Sequence, residues 1–492
     1  MFLDLDKKDK EKVAVVDDSG QSITYGDICD FSVIFAKYIT ARTIIFILSE
    51  NKIGSLLGYT AALSNRVVPL IISAKTDSVL YENLKDIYKP EYIWLPKELE
   101  EQIGYEVVFS VWDYVLVKTD YKKYNFYEEL SLLLPTSGST GSPKLVRHSY
   151  RNIEANAYNV MRLFNLSENE KAMAILPMHY TMGLSVITSH LFAGATILLS
   201  KRSLLDRDFW VMLKEATSFT GVPYSYELMV KMRFTRMNLP NLKIITQGGG
   251  KLTEELFQLL AKYAVENGKK FIPTYGQSEC TARMAYLPAE LSMTKTCSIG
   301  IAEPGGQLSI IDEEGVETFD GIATGEMVYR GENVTLGYAN SQADLLKGDE
   351  NHGLAAIMMT IETRASHQHV DALSTAEEAR LSPIRMMIGP VTIGGRNFIT
   401  FLTPTALTIR ARIRYRRPAI TIPPQAYWSF SAAAIVAYLP SLSEETEANP
   451  PRNANEEPRN AGTLNFAKKW KRRVPRPAIS SVVWIESGSP KL

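Results

Sequence analysis

The sequence has little that would suit a secreted, metal-rich or membrane-spanning protein. Its three cysteines, Cys29, Cys280 and Cys297, are in no metal-ligand spacing. A small, odd count is typical of a reducing compartment, so we expect a cytoplasmic protein. No apolar run approaches the roughly 18 residues that cross a bilayer, and the start, MFLDLDKKDKEK, lacks the apolar core of a signal peptide. We therefore predict no membrane span.

Net charge is also lacking. The 54 Lys and Arg residues balance 54 Asp and Glu residues. This balance gives no electrostatic reason to expect nucleic acid or an anionic membrane as the main partner. With 492 residues, 45% of them hydrophobic, the chain is longer than one compact domain. Two or more domains are expected.

Strand-like and helix-like segments alternate along much of the chain. The run TIIFILS (43–49) is strand-like, NKIGSLLGYTAALS has helical spacing, and RVVPLII (66–72) is again strand-like. The same alternation recurs in LKIITQGGG, TEELFQLLAKYAVENG and KFIPTYG. It predicts an α/β fold of mostly parallel sheets flanked by helices. Short strands with glycine turns at about 300–340 predict a small β subdomain.

A loop rich in hydroxyl and glycine residues, LPTSGSTGSPK at 134–144, follows the apolar run SLLL. It is not a Walker A loop, because Pro143 stands at the second glycine position and Leu145 at the magnesium hydroxyl position. We predict a helix after it, with Ser149 as N-cap.

The loop is expected at the carboxyl end of a strand, where α/β sheets bind ligands. Its glycines let backbone N–H groups approach phosphate oxygens, its hydroxyls add hydrogen bonds, and its lysine supplies a positive charge. The alternative is a mobile surface loop, but the fixed residue order and the closing Pro-Lys favour phosphate binding. The predicted contacts come from Thr136, Ser137, Gly138, Ser139, Thr140, Gly141 and Lys144.

These motifs resemble those of the adenylate-forming enzymes, which include acyl-CoA synthetases, peptide-synthetase adenylation domains and firefly luciferase. TSGSTGSPK is similar to the family's phosphate loop, and TYGQSE (274–279) resembles its Y-G-x-T-E block, with Ser278 in the threonine position. Weaker blocks follow in the expected order, from SITYGDI (22–28) to GEMVYRGENVTLGYAN (325–340). The resemblance covers roughly residues 10 to 353.

The resemblance implies ATP and Mg²⁺ as cofactors and a carboxylic acid as substrate. In this resemblance, Thr136 and Glu279 take the positions of the metal ligands. Both carry the hard oxygen atoms that magnesium prefers. Its nucleotide-binding residues also include Tyr275, stacked on adenine, and Gly248, Gly249, Gly250, Gly276, Gln277 and Ser278. The implied reaction is attack of the carboxylate on the α-phosphate of ATP, which gives an acyl-adenylate, with Lys144, Glu279 and His179 as catalytic residues. Either coenzyme A or the phosphopantetheine of an acyl carrier protein would be the acceptor.

The fourth block of the family helps to predict the substrate. Members that activate α-amino acids carry an aspartate there, whereas YTMGLSV places Gly183 at that position. An α-amino acid is therefore disfavoured. His179, in PMHYTMG, is typical of acyl and aryl ligases, although a buried structural histidine is an equally good interpretation.

The resemblance ends after residue 353. The family's T-G-D strand, its hinge and its C-terminal lysine do not appear, and arginine outnumbers lysine only in this later part. We predict an AMP-binding domain over 1–353 and an atypical Arg/Pro-rich segment over 354–492 that is partly disordered and out-of-frame or foreign. A nucleotide-binding protein without full catalysis is thus the alternative to a ligase.

Overall fold

The computed structural model describes residues 1–136, 144–319, 321–365, 397–402 and 408–413. These residues belong to one compact unit. The predicted phosphate loop from Ser137 to Pro143 and most of the segment after residue 365 lie outside the described residues.

Strands and helices alternate as the sequence predicted. The strands are β1 (Val13–Asp17), β2 (Ser22–Thr24), β3 (Ile44–Ser49), β4 (Val68–Ser73), β5 (Tyr92–Pro96), β6 (Glu106–Val111), β7 (Tyr114–Lys118), β8 (Leu130–Pro135), β9 (Leu145–Ser149), β10 (Lys171–Ala174), β11 (Thr196–Leu199), β12 (Ser218–Gly221), β13 (Ile244–Gln247), β14 (Lys270–Tyr275), β15 (Ala285–Tyr286), β16 (Ile301–Ala302), β17 (Gly306–Ile311), β18 (Glu317–Thr318), β19 (Gly321–Gly331), β20 (Gly337–Ala339), β21 (Leu354–Ala365), β22 (Asn397–Leu402) and β23 (Thr408–Ile413). The helices are α1 (Tyr25–Phe35), α2 (Ile53–Ser64), α3 (Ser78–Tyr88), α4 (Glu100–Ile103), α5 (Tyr150–Phe164), α6 (Thr181–Phe192), α7 (Arg207–Leu213), α8 (Pro223–Lys231) and α9 (Glu254–Glu266).

Two large sheets form most of the described structure. The first has the strand order β16-β15-β14-β13-β12-β10-β11-β1-β2, and its strands from β14 to β1 are parallel. The second has the order β20-β9-β8-β4-β3-β5-β7-β6, with β8, β4, β3 and β5 parallel. Antiparallel strands close the edges of both sheets.

The main hydrophobic core lies between the two sheets. One cluster of buried side chains combines residues of both sheets with residues of α1, α2, α5 and α6. Helices α2 and α6 are buried along almost their whole length, which explains why their sequences are apolar on all sides. Separate clusters cover the outer face of each sheet. The predicted α/β architecture is thus confirmed.

The small β subdomain is a four-stranded antiparallel sheet with the order β18-β17-β19-β21. Its last strand begins at Leu354 and pairs with β19, so strand pairing continues past residue 353. Further along, β22 and β23 pair antiparallel with each other. The division of the chain at residue 353 stays a prediction.

The surroundings of the phosphate loop differ from the expectation in one respect. Ser149 does cap α5, where its side chain accepts a hydrogen bond from the backbone of Asn152. However, strand β9 lies between the loop and this helix and pairs antiparallel with β8. The loop therefore joins two neighbouring strands, with Pro135 opposite Leu145 at its base. Arg147 and His148 made the short run LVRHS a weak strand signal in the sequence.

Candidate functional site

The carboxyl edge of the first sheet is the expected place for a ligand. Strand β10 pairs with β11 on one side and with β12 on the other. The chain therefore reverses its direction of progress across the sheet at β10, and open α/β sheets bind ligands at such a reversal. The segments that follow β10, β13 and β14 carry His179, Gly248–Gly250 and Gly276–Glu279, so one edge of the sheet collects three of the predicted motifs.

The glycines after β13 allow the segment after β10 to approach closely. Gly249 has a φ of 75°, and a Cβ atom there would lie 2.3 Å from the hydroxyl of Tyr180. A Cβ atom at Gly248 would lie 2.5 Å from Cε of Met182. Gly249 thus has both a conformation and a close contact that favour glycine, whereas a side chain at Gly248 would require the flexible Met182 side chain to shift.

The segment after β14 is folded tightly against itself. A Cβ atom at Gly276 would lie 1.8 Å from the carbonyl oxygen of Ala282. Thr281 and Ala282 have φ values of 52° and 96°, which are unusual for residues with side chains. Such strain persists only where the surroundings enforce it, and it is often found at functional sites.

Tyr275 is mostly enclosed by this segment. It is 8% exposed and belongs to a cluster with Cys280 and Met284. Its hydroxyl accepts a hydrogen bond from Nε2 of Gln277 over 3.3 Å, and burial raises its pKa to about 12. The structure thus joins two of the predicted nucleotide-binding residues, while stacking of Tyr275 on adenine stays a prediction.

Lys144 and Glu279 are brought together through Tyr338. The Nζ atom of Lys144 lies 3.3 Å from the centre of the Tyr338 ring. The hydroxyl of Tyr338 donates to Oε1 of Glu279 over 2.5 Å. Lys144 directly precedes β9 and Tyr338 lies on β20, both strands of the second sheet, whereas Glu279 follows β14 of the first. One residue from each signature motif therefore contacts Tyr338, although the motifs are more than a hundred residues apart in the sequence.

Tyr338 was missed by the sequence analysis as a site residue. It lies on β20, where it pairs with Val146 next to the base of the phosphate loop. Burial, with a smaller effect of Glu279, holds the pKa of its hydroxyl well above the usual value, so it remains a hydrogen-bond donor. The block GEMVYRGENVTLGYAN identified the segment, but nothing in its spacing singles out this tyrosine.

Thr136 and Lys144 hold the two ends of the phosphate loop together. The backbone N–H of Thr136 donates to the carbonyl oxygen of Lys144 over 3.2 Å. The predicted contacts of Ser137, Gly138, Ser139, Thr140 and Gly141 lie outside the described residues. Lys144, the described residue after the loop, lies beside Tyr338.

Ser278 is linked to the start of α6, because its hydroxyl lies 2.8 Å from the hydroxyl of Thr181. His179 lies just before this helix, with Nδ1 3.4 Å from the hydroxyl of Ser49. Surrounding protein atoms lower the pKa of His179 to about 4, so its ring is neutral at pH 7. It can therefore form hydrogen bonds in the site but cannot supply a positive charge there.

Gly183 has a backbone reason for being glycine. A Cβ atom at this position would lie 2.3 Å from the carbonyl oxygen of Pro177 and 2.7 Å from that of Leu176. No side chain, and hence no aspartate, fits there without movement of the backbone.

The chemistry of the predicted metal ligands suits a metal that arrives with a nucleotide. Across the described ranges, no group of three or more His, Cys, Asp or Glu side chains could hold a metal ion alone. Thr136 and Glu279 offer a hydroxyl and a carboxylate, so the remaining ligands would be phosphate or water oxygens, as is usual for Mg²⁺. No helix among these residues is long and apolar enough to cross a bilayer.

The similarity of this chain to known protein sequences covers about two fifths of its length. Residues 118–339 match the family model for the AMP-binding enzyme. The indoleacetate–CoA ligase of Aromatoleum aromaticum is 32% identical over 212 residues, which are 42% of this chain and 41% of that protein. A 2-succinylbenzoate–CoA ligase of Bacillus cereus is 29% identical over 219 residues, 44% of each chain. The matches thus span about two fifths of the length of these curated relatives.

Solved structures share the fold over a longer part of the chain. The O-succinylbenzoate coenzyme A synthetase of Bacillus subtilis, in complex with ATP and magnesium, has a TM-score of 0.63 at 17% identity, over 81% of this chain and 82% of that one. A luciferase-like enzyme from Zophobas morio has a TM-score of 0.61 at 16% identity, over 78% of this chain and 93% of that one. Residues 118–339 are therefore similar to the AMP-binding domain of these CoA ligases, and most of the chain has the same fold as the two solved structures.

Proposed function

We propose that this chain binds Mg-ATP and activates a carboxylic acid to an acyl-adenylate, with later transfer of the acyl group to coenzyme A or a carrier thiol. The observation that carries the proposal is the meeting of Lys144 and Glu279 on Tyr338, beside the base of the predicted phosphate loop. A cation and a carboxylate that contact the same tyrosine suit a triphosphate that carries its own metal ion.

Each of these residues has a role that its chemistry supports. Lys144 places a positive charge where the phosphate oxygens would lie, and the ring of Tyr338 holds its ammonium group by a cation–π contact. Glu279 and Thr136 would hold Mg²⁺, which neutralises charge as pyrophosphate leaves. The hydrogen bond from Tyr338 fixes the Glu279 carboxylate in place. Catalysis would consist mainly of positioning and electrostatic stabilisation.

The acid is expected to lack an α-amine. The space at Gly183 admits no aspartate, and the imidazole of His179 is never an anion near pH 7, so neither position offers a negative charge to an ammonium group. The curated relatives named above are ligases of indoleacetate and 2-succinylbenzoate, which are both acids without an amine.

Calorimetric titration with Mg-ATP tests the nucleotide site. Lys144→Ala and Glu279→Ala should each weaken binding by about 1–3 kcal/mol, because each removes a charge-assisted contact. Lys262→Ala and Glu266→Ala are matched controls, since this exposed pair lies on the surface of α9. Equal affinity of the site variants and the parent would refute the assignment.

A nucleotide-binding protein without turnover is the second candidate. It is favoured by the sequence after residue 353, where the family's T-G-D strand and C-terminal lysine do not appear. Such a protein would bind Mg-ATP with the same dependence on Lys144 and Glu279, yet would not exchange pyrophosphate into ATP.

A further inference from the structure

Arg283 is a buried cation just behind the site. Its side chain is 0% exposed, and its backbone contacts Gly276 of the strained segment. Nη1 donates to the hydroxyl of Ser185 over 2.8 Å, whereas Nε has no hydrogen-bond partner. Within the described ranges, Arg283 forms no ion pair. A buried guanidinium without a paired anion is costly, so a functional reason is expected.

Glu303, the acidic residue with the strongest electrostatic effect on Arg283, does not neutralise the guanidinium. Burial raises the pKa of Glu303 to about 8, so this carboxyl is mainly protonated at pH 7. Burial lowers the pKa of Arg283 to about 10, which still leaves the guanidinium charged at that pH. The positive charge behind the site is therefore largely uncompensated.

A small cavity lies against this guanidinium. It has room for about one water molecule, and Arg283, His190, Ser218 and Thr246 are among the residues that line it. The hydroxyl of Thr246 has no hydrogen-bond partner. Nδ1 of His190 must donate to the carbonyl oxygen of Val186, 2.8 Å away, so Nε2 faces Ser218 as an acceptor. Apolar atoms nevertheless form almost all of the exposed wall of the cavity, and its only positive charge among the described residues comes from Arg283.

A line of hydroxyl groups leads from the site to this cavity. Thr181, Ser185 and Ser189 are spaced four residues apart on α6, so they lie above one another on one face of an otherwise apolar helix. Thr181 contacts Ser278 at the nucleotide end, Ser185 binds Arg283 in the middle, and Ser189 lines the cavity. Each step along the helix is about 6 Å.

The end of strand β13 also runs from the cavity towards the site. Thr246 lies on β13 and Gly248 follows the strand two residues later, so the two positions lie about 7 Å apart along the extended chain. The Cε atom of Met182 lies 2.5 Å from where a Cβ atom of residue 248 would be, so this methionine occupies the space beside Gly248. A flexible methionine is the kind of side chain that can move to admit a ligand.

Resting on the proposed function, we propose that Arg283 binds a second anionic group of the acid, so that the preferred substrates are dicarboxylic acids. One carboxylate would lie near Thr181 and Ser278, and the other would lie one to two helical turns deeper, against the guanidinium. A carboxylate is larger than one water molecule, so its entry requires movement of the apolar wall formed by Val160, Phe164 and Leu166.

A purely structural arginine is the competing explanation. The Arg283 guanidinium lies over the ring of Phe164, 5.4 Å from its centre, and the Ser185 hydroxyl that it binds donates onward to Asn156 over 2.7 Å. These contacts would hold α5, α6 and the segment after β14 together without any ligand. That explanation predicts no preference for a dianionic acid, which makes the two accounts separable.

The test compares acids that differ in one carboxylate. Hexanoate and adipate, octanoate and suberate, and 3-phenylpropanoate and 3-(2-carboxyphenyl)propanoate are titrated calorimetrically into the full chain, with and without Mg²⁺ and α,β-methylene ATP. We expect the diacid of at least one pair to bind about tenfold tighter or more. Arg283→Met should abolish this preference, Arg283→Lys should keep part of it, and the exposed control Arg207→Met should keep all of it.

Two results would overturn the inference. One is a parent protein that binds every monoacid at least as tightly as its diacid, and this result needs no variant to fold. The other is a diacid preference that persists in a folded Arg283→Met protein. Failure of the nucleotide analogue to bind would instead refute the proposed function, and the titrations without nucleotide would still decide the role of Arg283.

Discussion

Replacing Glu303 by glutamine should change how the stability of the protein depends on pH. Glu303 is 1% exposed, and its Oε1 atom accepts hydrogen bonds from Asn333 over 2.7 Å and from Tyr329 over 3.2 Å. Its Oε2 atom has no partner. Burial therefore raises its pKa from 4.5 to about 8, despite the opposing charge of Arg283.

The magnitude follows from the two pKa values. Between 4.5 and about 8, the folded protein retains a proton that the unfolded chain has lost. The stability that Glu303 contributes is thus fully present below the lower value and is lost as pH rises through the upper one. One pKa unit corresponds to about 1.4 kcal/mol, so the contribution should fall by about 3 kcal/mol between about pH 5 and pH 7.

Urea denaturation of the parent and Glu303→Gln at several pH values would measure this effect. Glutamine cannot ionise, and its amide N–H groups would replace the unpartnered oxygen, so the variant should be less stable at pH 5. Its deficit should shrink by about 3 kcal/mol by pH 7, since the other titrating groups cancel in the difference. Glu266→Gln, on the exposed face of α9, should show no such change. A deficit that is the same at every pH would refute the reasoning.

Three further predictions concern the site and its support. Gly276→Ala should destabilise the protein by about 1–3 kcal/mol in urea denaturation and weaken Mg-ATP binding, because the new Cβ would collide with the carbonyl of Ala282; wild-type stability would contradict this. Arg147→Met should lower the free energy of unfolding by about 3–5 kcal/mol, because the Arg147 side chain is 0% exposed and pairs with Glu350. Arg151→Ala, which removes an exposed ion pair with Glu332, should lower it by less than about 1 kcal/mol, and similar losses in the two variants would contradict this prediction. Discrimination against α-amino acids should exceed roughly a hundredfold in exchange assays, and an amino acid as best substrate would argue against it.

The sequence predicted the parts of the fold that depend on local pattern. The β-branched run at 43–49 and the apolar helix after it appear as β3 and α2, because burial on all sides demands such residues. Ser149 was predicted as a helix cap, since capping involves only neighbouring residues.

Features that depend on distant partners could not be predicted. Strand β9 contains Arg147, which a strand pattern would place in solvent, yet its guanidinium binds the carbonyl oxygens of Leu336 and Gly348. Tyr338 reaches Glu279 only because β20 pairs with β9. The pairing of strands nearly two hundred residues apart leaves no local pattern in the sequence. Tyr338 could therefore not be predicted as the residue that contacts both signature motifs.

Exchange of labelled pyrophosphate into ATP tests the proposed activity most directly. The full chain is incubated with Mg-ATP, labelled pyrophosphate and each acid of the panel above, with Lys144→Ala and Glu279→Ala as site variants and Lys262→Ala as control. We predict exchange that requires a carboxylic acid, that is reduced in both site variants and that is unchanged in the control. Mg-ATP binding without exchange for any acid would contradict acid activation and leave the chain a nucleotide-binding protein.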